Sequence, residues 1–359
     1  MTDESLSRDA ADRASSRAEP DAVLRQFVVD QRLAAADDAL RWTPLTGGVS
    51  SDIWRVDLPR RSICIKRALP KLKVAQTWTA PIERNAYEWA WLKFASQHCP
   101  DNVPTPIAAD PARAVFAMAY LDAKDHPVWK RALLDGVADP RIASQVAAVL
   151  ARLHAASARD PAVAQRFATD AIFHAIRLEP YLLATAVRHP DLADRLRGLA
   201  QRTAENRIAL VHGDVSPKNI LLGPRGPVFL DAECAWYGDP AFDAAFCLNH
   251  FLLKCVARPQ FADDYVACYA AFADAYLAGV TWESREGIEV RIASLVPALM
   301  LARVDGKSPV EYITDDADRN RIRSLAGPLI AAPPTSVLRI AGAWCQWYPT
   351  SAVTLPRNT

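Results

Sequence analysis

The stretch LVHGDVSPKNIL, at positions 210–221, places polar side chains of different chemistry between two apolar flanks. His212, Asp214 and Asn219 lie inside it, and Asp231 follows the next apolar run, in PVFLDAE. A carboxylate at the end of an apolar strand is costly unless a cation or hydrogen-bond donors meet it. An Asn and an Asp that converge across a hairpin supply the hard oxygen ligands that Mg²⁺ takes beside phosphates and water. Asp214 would then be left to accept a proton from a hydroxyl group or to hold that hydroxyl in line.

Each of these residues also has a structural interpretation. An Asp in a turn after a strand commonly forms that turn, and an Asn commonly caps one. The joint occurrence of Asp214, Asn219 and Asp231 at this spacing favours chemistry over turn formation. For His212 the balance is the opposite, and we expect it to support Asp214 by orienting the loop through hydrogen bonds.

Apolar patterns predict the elements that must position these residues. Short apolar runs at 210–212 and 227–230 predict strands on either side of the polar loop. Further strands are predicted at 53–58, 62–65 and 114–121, the first of them after a Gly-Gly pair. Helical spacing predicts helices at 22–35, at 81–97 with Pro81 at its start, and at 141–157. The segments 160–207 and 241–302 are also predicted to be mainly helical, the former with breaks at Pro161, Pro180 and Pro190.

Strands concentrate in the first third of the chain and helices dominate the rest, which predicts an α+β fold with two lobes. The length of 359 residues is sufficient for two lobes. We expect a disordered tail over residues 1–20, an N-terminal lobe over 21–121 and a C-terminal lobe over 122–359.

Composition narrows the class of protein. The 42 Lys/Arg and 41 Asp/Glu residues give a net charge of +1, which is unlike a nucleic-acid-binding surface. The N-terminus lacks the order of a signal peptide, and the longest apolar run, at 292–302, is too short to span a bilayer. None of the seven cysteines forms a CxxC pair, and most lie in apolar runs, which indicates reduced core thiols. We therefore expect a cytoplasmic protein that binds neither nucleic acid nor membrane.

The spacing H-x-D-x-x-x-x-N, followed by a strand and an Asp, is that of kinase catalytic loops. VHGDVSPKNIL together with VFLDAE resembles the signature of the aminoglycoside phosphotransferase and choline kinase family, and the resemblance extends over about residues 45–311. It implies a protein-kinase-like fold with a small β-rich N-lobe and a larger, mainly helical C-lobe. It also implies transfer of the γ-phosphate of ATP to the hydroxyl of a small molecule, with Asp214 as the catalytic residue.

The resemblance also implies a nucleotide site in the N-lobe. Lys66, which closes the apolar run SICIK, corresponds to the lysine that contacts the phosphates, and a buried lysine needs an anion. Glu88 or Glu83 would orient it, and we favour Glu88 because it lies deeper in the predicted helix. The loop LTGGVSSDIWRV would cover the phosphates through Gly47, Gly48, Ser50 and Ser51. Backbone groups near Met118, Tyr120 and Leu121 would contact the adenine.

Asn219 and Asp231 would hold Mg²⁺ on the triphosphate. Glu233 follows Asp231 by two residues, and on a strand this spacing puts both carboxylates on one face. Glu233 is therefore either a further metal contact or a solvated acid. In the family that the chain resembles, an Asp at the position of Asp243 braces the catalytic loop, so we assign Asp243 a structural role.

The acceptor is expected to be a small molecule. Only seven residues separate Asp231 from Asp239, no A-P-E follows, and there is no room for a peptide-docking segment. IKRALPKLKV and DAECAWYGDPAFD are similar to the methylthioribose kinase branch, which suggests a sugar-like acceptor; an amino alcohol or an aminoglycoside stays open. Residues 237–359 contain 13 acids and 11 Lys/Arg, a balance that does not favour a polycationic acceptor. The alternatives are a nucleotide-binding pseudokinase scaffold and, less favoured, a protein kinase.

Acceptor contacts are expected from the C-terminal helices. The candidates are Trp236, Tyr237, His250 and Arg303, although core packing explains the aromatic residues equally well. Arg303 lies in an apolar helical run and needs an anionic partner, either the substrate or a protein acid such as Asp305. His154 is interpreted as a core histidine.

Overall fold

The computed structural model describes residues 20–45, 51–69 and 81–347, with side chains up to residue 345. The chain divides into two compact units. The first unit comprises residues up to 96 together with 104–122, and the second comprises 97–103 together with the residues from 123 onward. Most of the predicted tail, over 1–19, lies outside the described residues.

The first unit is built on a five-stranded antiparallel sheet. Its strands are β1 (Arg41–Pro44), β2 (Ser51–Asp57), β3 (Ser62–Ala68), β4 (Pro106–Asp110) and β5 (Val115–Ala119). The strand order is β1-β2-β3-β5-β4, so β3 lies in the middle and β1 and β4 at the edges. Two helices belong to this part of the chain, α1 (Ala22–Asp30) and α2 (Arg84–His98). One face of the sheet packs against α1 in a core of Leu24, Phe27, Val28, Trp54, Val56, Ile63, Ile65, Val115 and Ala117.

Several predicted boundaries in this unit were wrong. The first helix ends at Asp30 because Arg32 adopts a left-handed φ of 54°. The second begins at Arg84, after a turn at Pro81. The strands β1 and β4 were missed because they carry prolines, and both are edge strands, where proline is tolerated.

The second unit is mainly helical. Its helices are α3 (Trp129–Leu134), α4 (Pro140–Ser157), α5 (Pro161–Arg166), α6 (Asp170–Phe173), α7 (Ala184–Arg188), α8 (Ala193–Glu205), α9 (Ala241–Ala257), α10 (Ala262–Ala278), α11 (Arg285–Asp305), α12 (Asp316–Ala331) and α13 (Val337–Trp347). Two small antiparallel pairs complete it, β6 (Ala209–Val211) with β9 (Trp236–Gly238) and β7 (Ile220–Gly223) with β8 (Gly226–Phe229).

A π-helical segment, His174–Leu183, joins α6 to α7. Pro180 lies inside it and does not end the helix, contrary to the prediction of a break. The wider π winding already changes the backbone hydrogen bonds that a proline disrupts in an α-helix. Such segments often occur at functional sites.

Helix α9 forms the centre of the second unit. Every residue from 241 to 256 is buried, as expected of a helix that is apolar on all sides. Its few polar residues, among them Asp243, His250 and Lys254, are therefore buried as well and require partners.

The strands and helices segregate as predicted, and the fold is α+β. Within the described ranges, no helix has the length and apolar character needed to cross a bilayer.

Candidate active site

The polar loop of the sequence connects β6 to β7 and turns sharply at Gly213. Gly213 has a φ of +80°, and a Cβ at this position would lie 2.7 Å from the Cβ of Cys234. Both the backbone conformation and the close approach therefore require glycine here.

Asp243, in the first turn of α9, fixes this loop through hydrogen bonds to its backbone. Its Oδ2 accepts a hydrogen bond from the His212 amide (2.7 Å) and its Oδ1 accepts one from the Gly213 amide (2.8 Å). His154 lies 3.2 Å away through Nε2 and contacts the Tyr276 hydroxyl through Nδ1 at 2.8 Å. His154 is fully buried, and its prediction as a core histidine is confirmed. The brace expected of Asp243 is present.

The hydrogen bonds of His212 agree with a supporting role. Its Nδ1 accepts from the Asp214 amide at 3.1 Å, which leaves Nε2 to donate to the Leu230 carbonyl at 3.1 Å. Burial lowers the pKa of His212, although the carboxylates around it act in the opposite direction. The neutral ring thus ties the loop to the segment that precedes Asp231.

Asp214 is buried between two cations. The Arg177 guanidinium lies 3.0 Å and the Lys218 ammonium 3.2 Å from its Oδ2. Burial alone would raise the pKa of Asp214, but Lys218 and Arg177 outweigh it and hold that pKa well below its usual range. No hydrogen bond among the described residues reaches Oδ1, so this oxygen can accept one from a ligand.

Sequence reasoning missed Arg177. It lies in the π-helical segment, is buried, and also donates to the carbonyls of Gly213 and Ile176. The only signal in the sequence is an arginine within a mostly apolar helical run, AIRLEPYLL, which also contains Glu179, and that pattern does not identify its partner.

Asn219 directly precedes β7 and Asp231 follows β8 by two positions, and the hairpin of these strands places the two ends side by side: the Leu230 amide donates to the Asn219 carbonyl at 2.9 Å. The Asn219 side chain donates through Nδ2 to the Asp214 carbonyl (3.1 Å), and no described residue contacts its Oδ1. Asp231 has a left-handed φ of 67°, a strained conformation for a residue other than glycine. An amide oxygen and a carboxylate fit Mg²⁺, which takes its other ligands from phosphate and water.

The strand argument for Glu233 was wrong. Strand β8 ends at Phe229, and Glu233 lies in a turn closed by the bond from the Ala235 amide to the Ala232 carbonyl (3.1 Å). Among the described residues, no group of three or more His, Cys, Asp or Glu side chains could hold a metal ion. A metal at this place would therefore depend on ligands from the nucleotide.

In the first unit, Lys66 and Glu88 form a buried ion pair. Lys66 Nζ donates to Glu88 Oε1 at 2.7 Å, and both residues are at most 5% exposed. The lysine lies on β3, the middle strand, and not at an exposed edge. Glu83 is exposed, so the preference for Glu88 as the partner is confirmed.

The remaining nucleotide candidates are only partly described. Gly47, Gly48 and Ser50 lie outside the described residues. Ser51 is buried at the start of β2. Met118 is half-buried on β5, whose pairing with β3 ends at Ala119, and Tyr120 and Leu121 follow beyond the sheet.

Trp236 and Tyr237 belong to the packed interior of the second unit. The Trp236 ring stacks on Phe173 at 4.3 Å, and its Nε1 donates to Asp170 at 2.9 Å. The Tyr237 hydroxyl donates to the Ile208 carbonyl at 2.8 Å. These contacts explain both residues by packing, so they are not retained as acceptor contacts. His250 and Arg303 are also buried, but each keeps a nitrogen that has no hydrogen-bond partner among the described residues (Nε2 and Nε, respectively).

A β-rich unit with a buried Lys–Glu pair and a helical unit with the H-x-D-x-x-x-x-N loop define a protein-kinase-like class of phosphotransferases. The chain belongs to the phosphotransferase enzyme family, whose model matches residues 41–288. This confirms the resemblance noted in the sequence.

Curated relatives include methylthioribose kinases. The chain is 26% identical over 264 residues to methylthioribose kinase 1 of Oryza sativa subsp. japonica, covering 65% of this chain and 60% of that protein. It is 27% identical over 266 residues to methylthioribose kinase of Erwinia tasmaniensis, covering 62% of this chain and 65% of that protein. The chain thus spans less than two thirds of the length of these relatives.

Among solved structures, the Plasmodium vivax ethanolamine kinase has a TM-score of 0.54 and 12% sequence identity, with 92% of this chain and 97% of that chain covered. At this identity the similarity concerns the fold alone.

Proposed function

We propose that the protein is an ATP-dependent phosphotransferase that moves the γ-phosphate of ATP to a hydroxyl of a small molecule. The observation that carries this proposal is the geometry at Asp214. Its carboxylate is fixed by two cations on one oxygen, while the other oxygen is left to accept a hydrogen bond. Membership of the phosphotransferase enzyme family supports the same reaction.

Asp214 would hold the acceptor hydroxyl in line with the phosphate. Because its pKa is low, the carboxylate is a weak base in the ground state, and orientation would contribute more than early proton removal. His212 and Asp243 would contribute only by fixing the loop that carries it.

The first unit would supply the nucleotide contacts. Lys66 would contact the phosphates, and Glu88 would fix its ammonium group. The main chain of Tyr120 and Leu121, which continues beyond the sheet pairing, would contact the adenine beside Met118. The glycine-rich loop at 47–51 would cover the phosphates.

Mg²⁺ would be held by Asn219 Oδ1 and the Asp231 carboxylate, with Glu233 as a further contact from the adjacent turn. The bound ion would neutralise phosphate charge during transfer. Asn219 also holds the Asp214 carbonyl, so one side chain would link the metal position to the loop.

For the acceptor, we infer a sugar-like compound, because the curated relatives are named methylthioribose kinases. A protein substrate is not favoured, since only seven residues separate Asp231 from Asp239. A pseudokinase scaffold is not favoured either, since Lys66, Asp214, Asn219 and Asp231 are all present.

A cytoplasmic location is part of the proposal. It is supported by the seven cysteines, all of which are free thiols and six of which are buried.

The test is ATP consumption with a panel of sugars, amino alcohols and aminoglycosides, using wild type and Asp214→Asn. We expect at least one acceptor to be phosphorylated, and Asp214→Asn to lower kcat by about 10²–10⁴-fold while the thermal shift with Mg-ADP persists. Nucleotide binding without Asp214-dependent turnover on any acceptor would support the scaffold instead.

A further inference from the structure

Helix α9 and helix α11 bury two cationic side chains that have no carboxylate partner among the described residues. These are Lys254, which is fully buried, and Arg303, which is 8% exposed. A buried charge without a counter-ion is strongly unfavourable, so such a group either gives up its charge or takes a counter-charge from a ligand.

The contacts of Arg303 are all to neutral groups. Its Nη1 donates to the Tyr181 hydroxyl (3.0 Å) and to the Ser308 carbonyl (2.6 Å) and hydroxyl (3.1 Å). Its Nε is buried and has no partner in the described part of the chain. Asp305, the nearby acid suggested by the sequence, is bound instead to His189 (2.8 Å) and to two nitrogens of Arg323 (2.8 and 2.6 Å). The protein acid that could have paired Arg303 is thus already occupied.

Like Arg303, Lys254 contacts only neutral groups among the described residues. Its ammonium group lies 5.1 Å from the centre of the Tyr312 ring and reaches one carbonyl, that of His250, at 3.5 Å. His250 lies one helical turn earlier on the same face of α9. Its Nδ1 shares a hydrogen bond with the Tyr312 hydroxyl (3.2 Å), and its Nε2 is buried and unpartnered.

The acids that act on this group electrostatically are engaged elsewhere. Glu311 forms an ion pair with Lys130 and its side chain is 62% exposed. Asp214 is paired with Arg177 and Lys218. Burial, with Lys130 and Arg303 nearby, lowers the pKa of Lys254 to about 7 even though Cys247 and Glu311 raise it. Burial is thus the main cause that disfavours the charged form of Lys254, and a bound anion would favour it.

This group of cations is connected to the loop that carries Asp214. Arg303 contacts the Tyr181 hydroxyl, and the Arg177 guanidinium lies 5.7 Å from the centre of the same ring. Arg177 in turn binds Asp214. The charges of Asp214 and Lys218 also act on the His250 ring, so the two groups lie within electrostatic range.

We propose that His250, Lys254 and Arg303 form an anion-binding subsite for the acceptor, which is therefore a hydroxyl compound carrying a carboxylate or a phosphate. The inference rests on the proposed function, because Asp214 would orient the hydroxyl of that same molecule. A free Nε–H of Arg303, a lysine ammonium and the Nε2 of His250 are donors suited to an oxyanion.

The first experiment compares matched acceptors. Phosphate transfer is measured with glycerol, glycerate and glycerol 1-phosphate, and with ribitol and ribonate, against ethanolamine as the cationic member. We expect kcat/KM to be at least about 10-fold higher for an anionic member than for its neutral partner, as a gain of about 1.4 kcal/mol would give. The two anionic arms distinguish carboxylate from phosphate. Equal or better use of the neutral and cationic compounds would overturn the inference and leave the proposed function intact.

The second experiment uses Lys254→Met and Arg303→Gln, with Lys307→Met as the control. Lys307 pairs with Glu179 at the surface, so its loss should change neither stability nor acceptor preference. Lys254→Met removes an uncompensated buried charge and should raise the Tm of the ligand-free protein, whereas it should abolish the preference for anionic acceptors. A lower Tm with unchanged preference would show that Lys254 is a structural residue.

Binding of anions tests the subsite even if no acceptor is phosphorylated. The thermal shift of the wild type with glycerate and with inorganic phosphate is compared with that of Lys254→Met and Arg303→Gln. If both variants lose the thermal shift that the wild type shows, the result supports the subsite, even where no phosphate transfer has been found. If the wild type shows no shift with either anion and no anionic acceptor is phosphorylated, the inference is refuted.

Discussion

Asp214 combines burial with two cations on the same oxygen, and these influences oppose each other. Burial favours the protonated acid, while Arg177 and Lys218 favour the carboxylate and prevail. The group is thus a permanently charged hydrogen-bond acceptor, suited to hold a hydroxyl through the reaction. With this arrangement, catalysis would depend on the geometry and charge of the site more than on the basicity of Asp214.

The pH dependence of transfer should reflect this arrangement. In the wild type we expect no inflection from Asp214 above about pH 4, its ordinary value. A depressed pKa also means that Asp214 contributes stability above its unfolded-state pKa, and that this is lost as the pH falls through the lower folded value. Lys218→Met removes one cation, so the acidic limb of kcat/KM should move to higher pH.

The measurement is kcat/KM from about pH 4.5 to 9 with one acceptor, using Lys307→Met as the matched surface variant. If Lys218→Met shows no acidic limb within this range, as expected of the wild type, Lys218 does not control the ionisation of Asp214.

Variants of Lys66 and Glu88 can distinguish a role in nucleotide binding from a role in stability. Removing one residue breaks a buried ion pair, so Lys66→Met and Glu88→Met should each lower the free energy of unfolding by about 3–5 kcal/mol. The double variant replaces the pair by apolar groups and should recover most of that loss, yet it should show no thermal shift with Mg-ATP.

Chemical denaturation and calorimetry of the four proteins give this comparison. If the double variant still binds Mg-ATP as the wild type does, the pair is structural only and Lys66 does not contact the nucleotide.

At the scale of elements, α9 controls the loop that carries Asp214. Asp243 in its first turn accepts two loop amides, and His250 and Lys254 lie further along the same helix. One buried helix thereby fixes the loop and presents the proposed subsite for the acceptor. Because α9 is buried along nearly its whole length, packing against its neighbours fixes its position.

Asp243→Asn should therefore impair both folding and turnover. An amide has one oxygen, so one of the His212 and Gly213 amides would lose its acceptor in a buried place, at a cost of about 1–3 kcal/mol. We expect a lower Tm and a fall in kcat with little change in the thermal shift from Mg-ADP. Asp37→Asn, at an exposed turn position, serves as control. A normal kcat would show that the brace does not control the loop.

At the scale of the whole molecule, the sequence predicted those parts that depend on local pattern. The α+β class follows from hydrophobic periodicity, and the pairing of Lys66 with Glu88 is what the resemblance to a kinase family implies. Arg177 could not be predicted as a partner of Asp214, because the two residues are far apart in the sequence and only tertiary packing joins them. For Trp236 and Tyr237 the sequence left core packing and acceptor contact open, and only tertiary structure shows that both side chains are packed.

The melting temperature of the protein should rise when the nucleotide and its metal bind. A ligand at 100 times its Kd stabilises the folded protein by about 2.7 kcal/mol, so ADP with Mg²⁺ should raise Tm clearly and ADP with EDTA much less. If Asn219 and Asp231 hold the metal, Asp231→Asn should shrink the difference between these two conditions, because the metal loses its carboxylate ligand. Differential scanning calorimetry of wild type, Asp231→Asn and Asp37→Asn measures this. An undiminished Mg²⁺ effect in Asp231→Asn would place the metal elsewhere, while loss of all nucleotide stabilisation with Mg²⁺ or EDTA would assign Asp231 to folding of the site.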